Sequence, residues 1–267
     1  MRAKPASRVR IPPSPPTRCE TPAAQVAGVF AFRVGMLGPM WPTVGRMYTP
    51  KHFDLPDLSH ARLMIQEHPL ATLMLIDPTH GLSATPVPMI WGAPSEASSS
   101  ATGQASTGEG WWLEGHLARA NPHVAALMSG EIGEVLVQFN GPGAYISPSH
   151  YDTPLSVPTW NYLTLQVHGG VQVIDDEAGK DALLKRLIAT QEPDYAAQWR
   201  GLPADFQRKL LGAIVGFRIP VERWTMKAKL SQNRTADERA RILAHQEHHG
   251  SLEEQMLARW VRELTPR

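Results

Sequence analysis

Three groups of side chains in this chain have types and spacings suited to an anionic or flat aromatic ligand. The first, Gly115-His116-Leu117-Ala118-Arg119-Ala120-Asn121-Pro122, runs from an expected strand end into an expected helix start. A helix N-terminus presents free backbone N–H groups and the positive end of the helix dipole. Arg119 adds a fork of donors, and His116 and Asn121 could complete a phosphate cradle. The same spacing equally suits a plain N-cap at Asn121 beside a solvated Arg119. In the second group, Trp224 to Arg234, strand periodicity puts Lys227 and Lys229 on one face, with Ser231 and Asn233 if the strand continues. Two cations and two hydrogen-bonding side chains on one face suit an anion, although lysines are also a common means of blunting an exposed sheet edge, and periodicity alone favours that use. The third group joins Tyr145–Tyr151 to Val157–Tyr162, where aromatics, hydroxyls and an amide could wall a flat ring or simply pack at a barrel rim.

Other chemistries find little support. Cys19 is the only cysteine, which leaves the rest of the chain without a disulfide framework, a thiolate zinc site, an iron–sulfur cluster or a cysteine nucleophile. Of His245, His248 and His249, only His245 and His249 have the i, i+4 spacing of a zinc pair, and no zincin glutamate accompanies them, so no metal is expected. Walker loops, GxGxxG and serine elbows are missing from the sequence. Asp175-Asp176-Glu177 reads as a turn opening a helix, where acids favour the dipole.

The 267 residues have a formal net charge of +1, unevenly divided. Residues 1–46 hold seven basic groups against one acid, a net of +6, which leaves 19 basic against 24 acidic groups, a net of −5, in the other 221. The leading stretch also contains eight of the 24 prolines and no helical or strand period. Such a segment buries too little apolar surface to offset its ordering entropy, and it is expected to be a disordered extension ahead of a functional start at Met47. A targeting peptide is the weaker alternative, because Arg33 interrupts its apolar patch and the prolines oppose an amphipathic helix. The longest apolar runs, near Val26–Phe32 and Leu70–Ile76, are about seven residues, well short of the roughly 18 that span a membrane. With 42% hydrophobic residues and no body cysteine, a cytoplasmic globular protein is expected.

The elements that must position these groups follow from patterning. A helix is expected over Leu58–Glu67 after Asp57, then strands over Leu70–Ile76 and Leu82–Trp91. Pro86 and Pro88 put the second strand at a sheet edge or bulge. Residues 92–110 form a Ser/Gly/Ala-rich flexible loop. Trp111–Leu117 is a strand, Asn121-Pro122 opens a helix to about Ser129, and Gly133–Asn140 is a strand ending in a Gly141-Pro142-Gly143 turn. Thr159–Val167 and Val171–Asp175 read as a hairpin through Gly169-Gly170. Helices at Glu177–Thr190 and Ala204–Gly212, one long strand at Ala213–Lys229, and helices at Ala236–His249 and Leu252–Leu264 complete the chain. Ser251 with Glu254 forms a capping box for the last helix. The terminal pair looks superficially like a helix-turn-helix, but six basic and six acidic groups after Ser231 balance, whereas a DNA-reading helix brings a basic surface. Strands that follow one another without crossover helices imply a mainly β, α+β protein, an antiparallel barrel with peripheral helices.

In order along the chain stand MYTPKHF at Met47, HPLATLM at His68, GHLARANP at Gly115, VLVQFNGPGAYISPSHY at Val135, VPTWNYLTLQVHG at Val157, VIDD at Val173, AIVGFRIPVERW at Ala213 and KAKLSQNR at Lys227. Together they resemble the PaiB family of FMN-binding negative transcriptional regulators, from Met47 to about Ala244. The resemblance implies an FMN-binding split barrel, homodimeric, with flavin near the subunit interface. It implies FMN phosphate near His116, Arg119 and Asn121, with Lys229, Ser231 and Gln232 as the next candidates, and Trp160 and Asn161 beside the ring. Three departures stand out: Pro86 where the family more often has histidine, His150 where it usually has tryptophan, and Ala228 where an aromatic is common. The expected organisation is an extension over 1–46, a split-barrel domain over 47–234 and a helical segment over 235–267. Because the body carries −5, a regulatory effect exerted through a protein partner fits better than direct DNA binding. The alternative is an FMN-dependent oxidoreductase, a flavin reductase or pyridoxamine-phosphate-oxidase-like enzyme, on the same barrel. A flavin- or haem-binding storage module without turnover is a third possibility.

Overall fold

The computed structural model describes residues 47–94 and 110–264; the extension over 1–46 and most of the loop expected over 92–110 lie outside the described residues. Helix α1 (Leu58–Glu67) starts as its sequence demands, with the Asp57 carboxylate accepting from the His60 N–H at 3.0 Å. Strands β1 (Leu70–Asp77), β2 (Gly81–Pro88), β3 (Ile90–Gly92) and β4 (Trp112–Ala118) follow, then α2 (Pro122–Ser129), β5 (Val135–Ile146), β6 (Thr159–Gly169) and β7 (Gln172–Ile174). Helices α3 (Glu177–Gln191), α4 (Tyr195–Gly201) and α5 (Ala204–Gly212) lead to β8 (Ile214–Pro220), β9 (Arg223–Lys229), α6 (Ala236–His248) and α7 (Leu252–Leu264).

The strands form two sheets, ordered β2-β1-β5-β6-β9 and β3-β4-β8-β7, and every pairing is antiparallel. Their inner faces share one core: Leu73, Val137, Leu165 and Met226 from the first meet Leu113, Phe217 and Ile219 from the second. Met64 and Ile65 of α1 and Leu257 and Trp260 of α7 join the same cluster. The result is an α+β split antiparallel barrel with peripheral helices. Among the described residues no helix is long and apolar enough to cross a membrane.

Four expectations change where the chain moves between sheets. The strand expected over Leu82–Trp91 is two strands in different sheets, divided at the fully buried Met89, whose N–H donates to the Pro69 carbonyl at 2.9 Å. Pro86 and Pro88 do lie on an edge strand, β2. Thr159–Gly169 and Gln172–Ile174 are not a hairpin, because β6 pairs with β5 and β9 while β7 pairs with β8. Gly169 makes that crossing possible: a Cβ there would lie 2.0 Å from the Pro220 carbonyl oxygen. The single strand expected over Ala213–Lys229 breaks at Val221-Glu222 into β8 and β9, again in different sheets. The apolar phase persists through the first two breaks, whereas at Val221-Glu222 it shifts from Val215, Phe217 and Ile219 to Met226 and Ala228, a sign of the break that the sequence does carry. Finally, Gly141-Pro142-Gly143 is not a turn but a register shift inside the continuous β5. Gly141 leaves room there for the Met64 side chain, whose methyl would stand 2.8 Å from a Cβ and would have to shift to admit one. Helix α4, not anticipated, is held by buried Trp199, whose indole N–H donates to Asp181 at 3.2 Å.

One buried carboxylate fastens α3 across the outer side of the four-stranded sheet. Glu114 of β4 is fully buried and accepts from Arg186 of α3 at 2.7 and 3.0 Å and from Arg218 of β8 at 2.9 and 2.6 Å. The Arg218 guanidinium also stacks 4.4 Å from the Trp112 ring centroid. Removing the carboxylate leaves two cations facing each other. Because both arginines are partly exposed, Glu114→Ala should cost about 2–4 kcal/mol, somewhat below the figure for a fully enclosed pair. Urea unfolding of the variant checks this value.

Candidate functional site

The candidate site is built on the pairing of β6 with β9. Met226 and Ala228 face the core opposite Leu165 and Leu163, so Lys227 and Lys229 necessarily face outward, opposite Thr164 and Tyr162. Lys227 donates to the Tyr48 carbonyl at 3.0 Å and lies 5.4 Å from the Tyr162 ring centroid. Lys229 donates to the Thr159 hydroxyl and to the Trp160 carbonyl, the latter at 2.7 Å. Neither lysine has a carboxylate partner among the described residues. At the other end of β6, by contrast, Arg223 is held by both oxygens of Glu134 at 2.7 and 2.6 Å.

Beyond Lys229 the chain does not extend along the same face as expected. Ser231 takes a left-handed conformation, φ 64°, which turns its hydroxyl inward to donate to the Asn161 amide oxygen at 3.1 Å. Gln232 braces the turn: its amide oxygen accepts from the Leu230 N–H at 2.7 Å and its nitrogen donates to the Ala228 carbonyl. The turn brings Arg234 back, its guanidinium 3.7 Å from the Tyr151 ring centroid and without a carboxylate partner among the described residues. Thr159, Asn161, Lys229, Ser231, Asn233 and Arg234 thus surround a pocket of about 140 Å³. Burial first, then the charges of Lys227 and Arg234, hold the Lys229 ammonium below its ordinary pKa of 10.5. A small, cation-lined pocket of this kind suits a phosphate group.

Trp160 and Asn161 lie on opposite faces of β6. Trp160 is 57% exposed and meets Tyr145 edge-on at 6.3 Å, while Asn161 is 1% exposed and fixes Ser231. Of the two, Trp160 is the one open to a ligand, and Tyr145 beside it is also half exposed.

His116, Arg119 and Asn121 form a separate group, and no hydrogen bond or ion pair between described residues joins it to the first. Arg119 pairs with Asp175 through both terminal nitrogens and donates to the carbonyls of Gly212 at 2.8 Å and Ile214 at 3.1 Å. That pairing, with Lys180 beside it, pulls the Asp175 carboxyl below the ordinary carboxylate value. Asn121 caps α2 by accepting from the His123 N–H at 2.9 Å, and its amide nitrogen donates to the Thr85 hydroxyl at 3.3 Å. Burial lowers the His116 pKa, and its Nδ1 is enclosed without a partner. Four of the five N–H donors of Arg119 and one of the two of the Asn121 amide are already used within the fold.

Sequence reasoning did not select Arg234 and Thr159 as site residues. The one available signal was Arg234 closing a polar turn directly after a strand bearing two lysines. Nothing in the sequence identified Asp175 as the partner of Arg119. The rings of His150 and His245 stand 5.0 Å apart and those of His245 and His249 6.1 Å apart, but among the described residues no group of three or more His, Cys, Asp or Glu is placed to hold a metal.

A family model described as "Putative FMN-binding domain" matches residues 47–223. Protease synthase and sporulation protein PAI 2 of Bacillus subtilis is 30% identical over 189 residues, covering 70% of this chain and 83% of that protein. An uncharacterized protein of Saccharomyces cerevisiae is 30% identical over 185 residues, 61% of this chain and 99% of that one. Among solved structures, the FAD and heme binding protein of Mycobacterium smegmatis aligns with a TM-score of 0.48 at 20% identity, over 70% of this chain and 78% of that one. The flavocytochrome Anf3 of Azotobacter vinelandii gives 0.48 at 15%, over 66% and 69%.

A phosphate monoester placed in the pocket favours the charged form of Lys229, whose pKa is depressed while the pocket is free. Above that depressed value the lysine must take up a proton on binding. Affinity for phenyl phosphate, which is dianionic above about pH 7, should therefore fall as pH rises from neutral toward the ordinary lysine value of 10.5. Calorimetry across this range checks the trend, and a flat profile would show that Lys229 does not face the anion.

Proposed function

This chain belongs to the FMN-binding family of PaiB type, and we propose that it is a flavin-binding regulator that holds the FMN phosphate at Lys229 and Arg234, beside the Thr159 hydroxyl; the Ser231 hydroxyl, spent on Asn161, shapes the turn instead. Its cofactor is FMN. The observation that carries the phosphate assignment is the pocket in which Lys229 and Arg234, two cations without carboxylate partners among the described residues, converge beside the Thr159 hydroxyl. Charge-assisted bonds from Lys229 and Arg234 are the strong kind of phosphate contact. Phosphate at Arg119 would have to displace Asp175. Trp160, exposed at the rim, supplies the ring wall, and Asn161 acts by holding Ser231. Bound FMN supplies electron- and hydride-transfer chemistry, while the chain's own residues hold and orient it.

The regulatory role draws support from the resemblance to PaiB proteins. Its form follows from the charge: a body of −5 has no electrostatic hold on DNA phosphates, so we take the effect to pass through a protein partner. A second copy of the chain is proposed to cover the outer side of β1 and β2, where Leu70, Ile76 and Leu82 are exposed and Ile76 stands opposite Leu82. Such a contiguous apolar surface on a sheet marks an interaction site.

Two measurements follow. FMN and riboflavin titrations, read by flavin fluorescence, should show Lys229→Met and Arg234→Ala each weakening FMN roughly tenfold, the loss of about one charged hydrogen bond, with riboflavin unchanged. Arg119→Ala should leave both ligands unchanged; if it alone erases the preference for FMN, the phosphate lies at α2. Light scattering should show a dimer, and Ile76→Lys combined with Leu82→Lys should give a folded monomer.

A further inference from the structure

A second cavity, of about 560 Å³, opens between β9 and the two terminal helices. Its size is that of a small-molecule site, which runs from roughly 300 to 1,000 Å³. Leu230, Ile242 and Leu243 give it apolar walls, and Asp54 and Arg239 at its lining carry opposite charges, which suits an uncharged occupant. Gln246 of α6 also lines it and is 1% exposed, yet among the described residues neither its amide oxygen nor its amide nitrogen has a hydrogen-bond partner. Enclosing an unpaired polar group costs about 1–3 kcal/mol, and buried polar groups are nearly always paired. A ligand that meets this amide would recover the loss. The terminal torsion of a glutamine is broad, so the amide can swing toward a molecule in the cavity.

We infer that this cavity is a ligand site for an uncharged, mainly apolar ring system bearing a lactam-type edge. A carboxamide offers an acceptor and two donors side by side, and an N–H adjacent to a C=O is its complement. The site is distinct from the phosphate pocket: Asn161 and Ser231, hydrogen-bonded to each other, stand in the wall common to both. It also lies largely beyond the family match, which ends at residue 223, whereas β9 after Arg223, α6 and α7 supply most of its lining.

The test uses the whole protein saturated with FMN and two probes, quinolin-2-one and its N-methyl derivative, which lacks the N–H donor. Calorimetry should find quinolin-2-one bound at least tenfold more tightly than the N-methyl probe. Gln246→Leu should erase that difference without lowering the melting temperature or changing FMN affinity, and Ala240→Trp, from an exposed position on the cavity lining, should block both probes. Equal binding of the two probes, or an undiminished preference in Gln246→Leu, overturns the inference. So does competition between quinolin-2-one and FMN, which would make the cavity part of the flavin site.

Discussion

The register of β6 against β9 decides where Lys227 and Lys229, cations without a carboxylate partner among the described residues, stand. Side chains alternate across a strand, so a slip of one residue would bury Lys227 and Lys229 and expose Met226 and Ala228. That exchange is prohibitive, because Met226 and Ala228 pack into the shared core opposite Leu165 and Leu163. The apolar side of β9 therefore fixes its cationic side. The turn after Lys229 then adds Arg234 to two lysines whose positions are already determined.

Charge elsewhere in the barrel is handled differently. Glu114 is shared by two arginines, Arg119 is closed off by Asp175, and Arg223 by Glu134. These pairs fasten helices, loops and strand ends to the sheets, where leaving either partner alone would be costly. Lys229 and Arg234 are the contrast: they rest on hydroxyl, carbonyl and aromatic groups, none of which neutralises them. An acidic body that leaves two cations converging on one small pocket has concentrated its attraction for anions there.

Much of the architecture was legible in the sequence, and the failures share a cause. Caps and punctuation located α1, α2, α3 and the terminal helices, since Asp57, Asn121 and the Ser251–Glu254 pair act locally. Strand crossings were less legible: at Met89 and Gly169 the apolar residues keep their phase as the chain passes between sheets, and only three-dimensional closure separates the pieces, whereas at Val221-Glu222 the phase shifts between Ile219 and Met226 and a reading as one long strand passes over it. The site was half legible for the same reason. Alternation put Lys227 and Lys229 on one face, but the inward turn at Ser231, the closure by Arg234 and the capture of Arg119 by a residue 56 positions away depend on contacts that no local pattern encodes.

Ser231 holds a backbone conformation that costs a side-chain-bearing residue about 1 kcal/mol or more, and it holds it in order to reach Asn161. Glycine would relax the backbone at this position but would leave the Asn161 amide oxygen without its hydroxyl donor. An enclosed oxygen left unpaired costs about 1–3 kcal/mol, at least as much as the strain relieved, so Ser231→Gly gains the fold nothing: the strain at this turn is the lesser cost of keeping Asn161 paired.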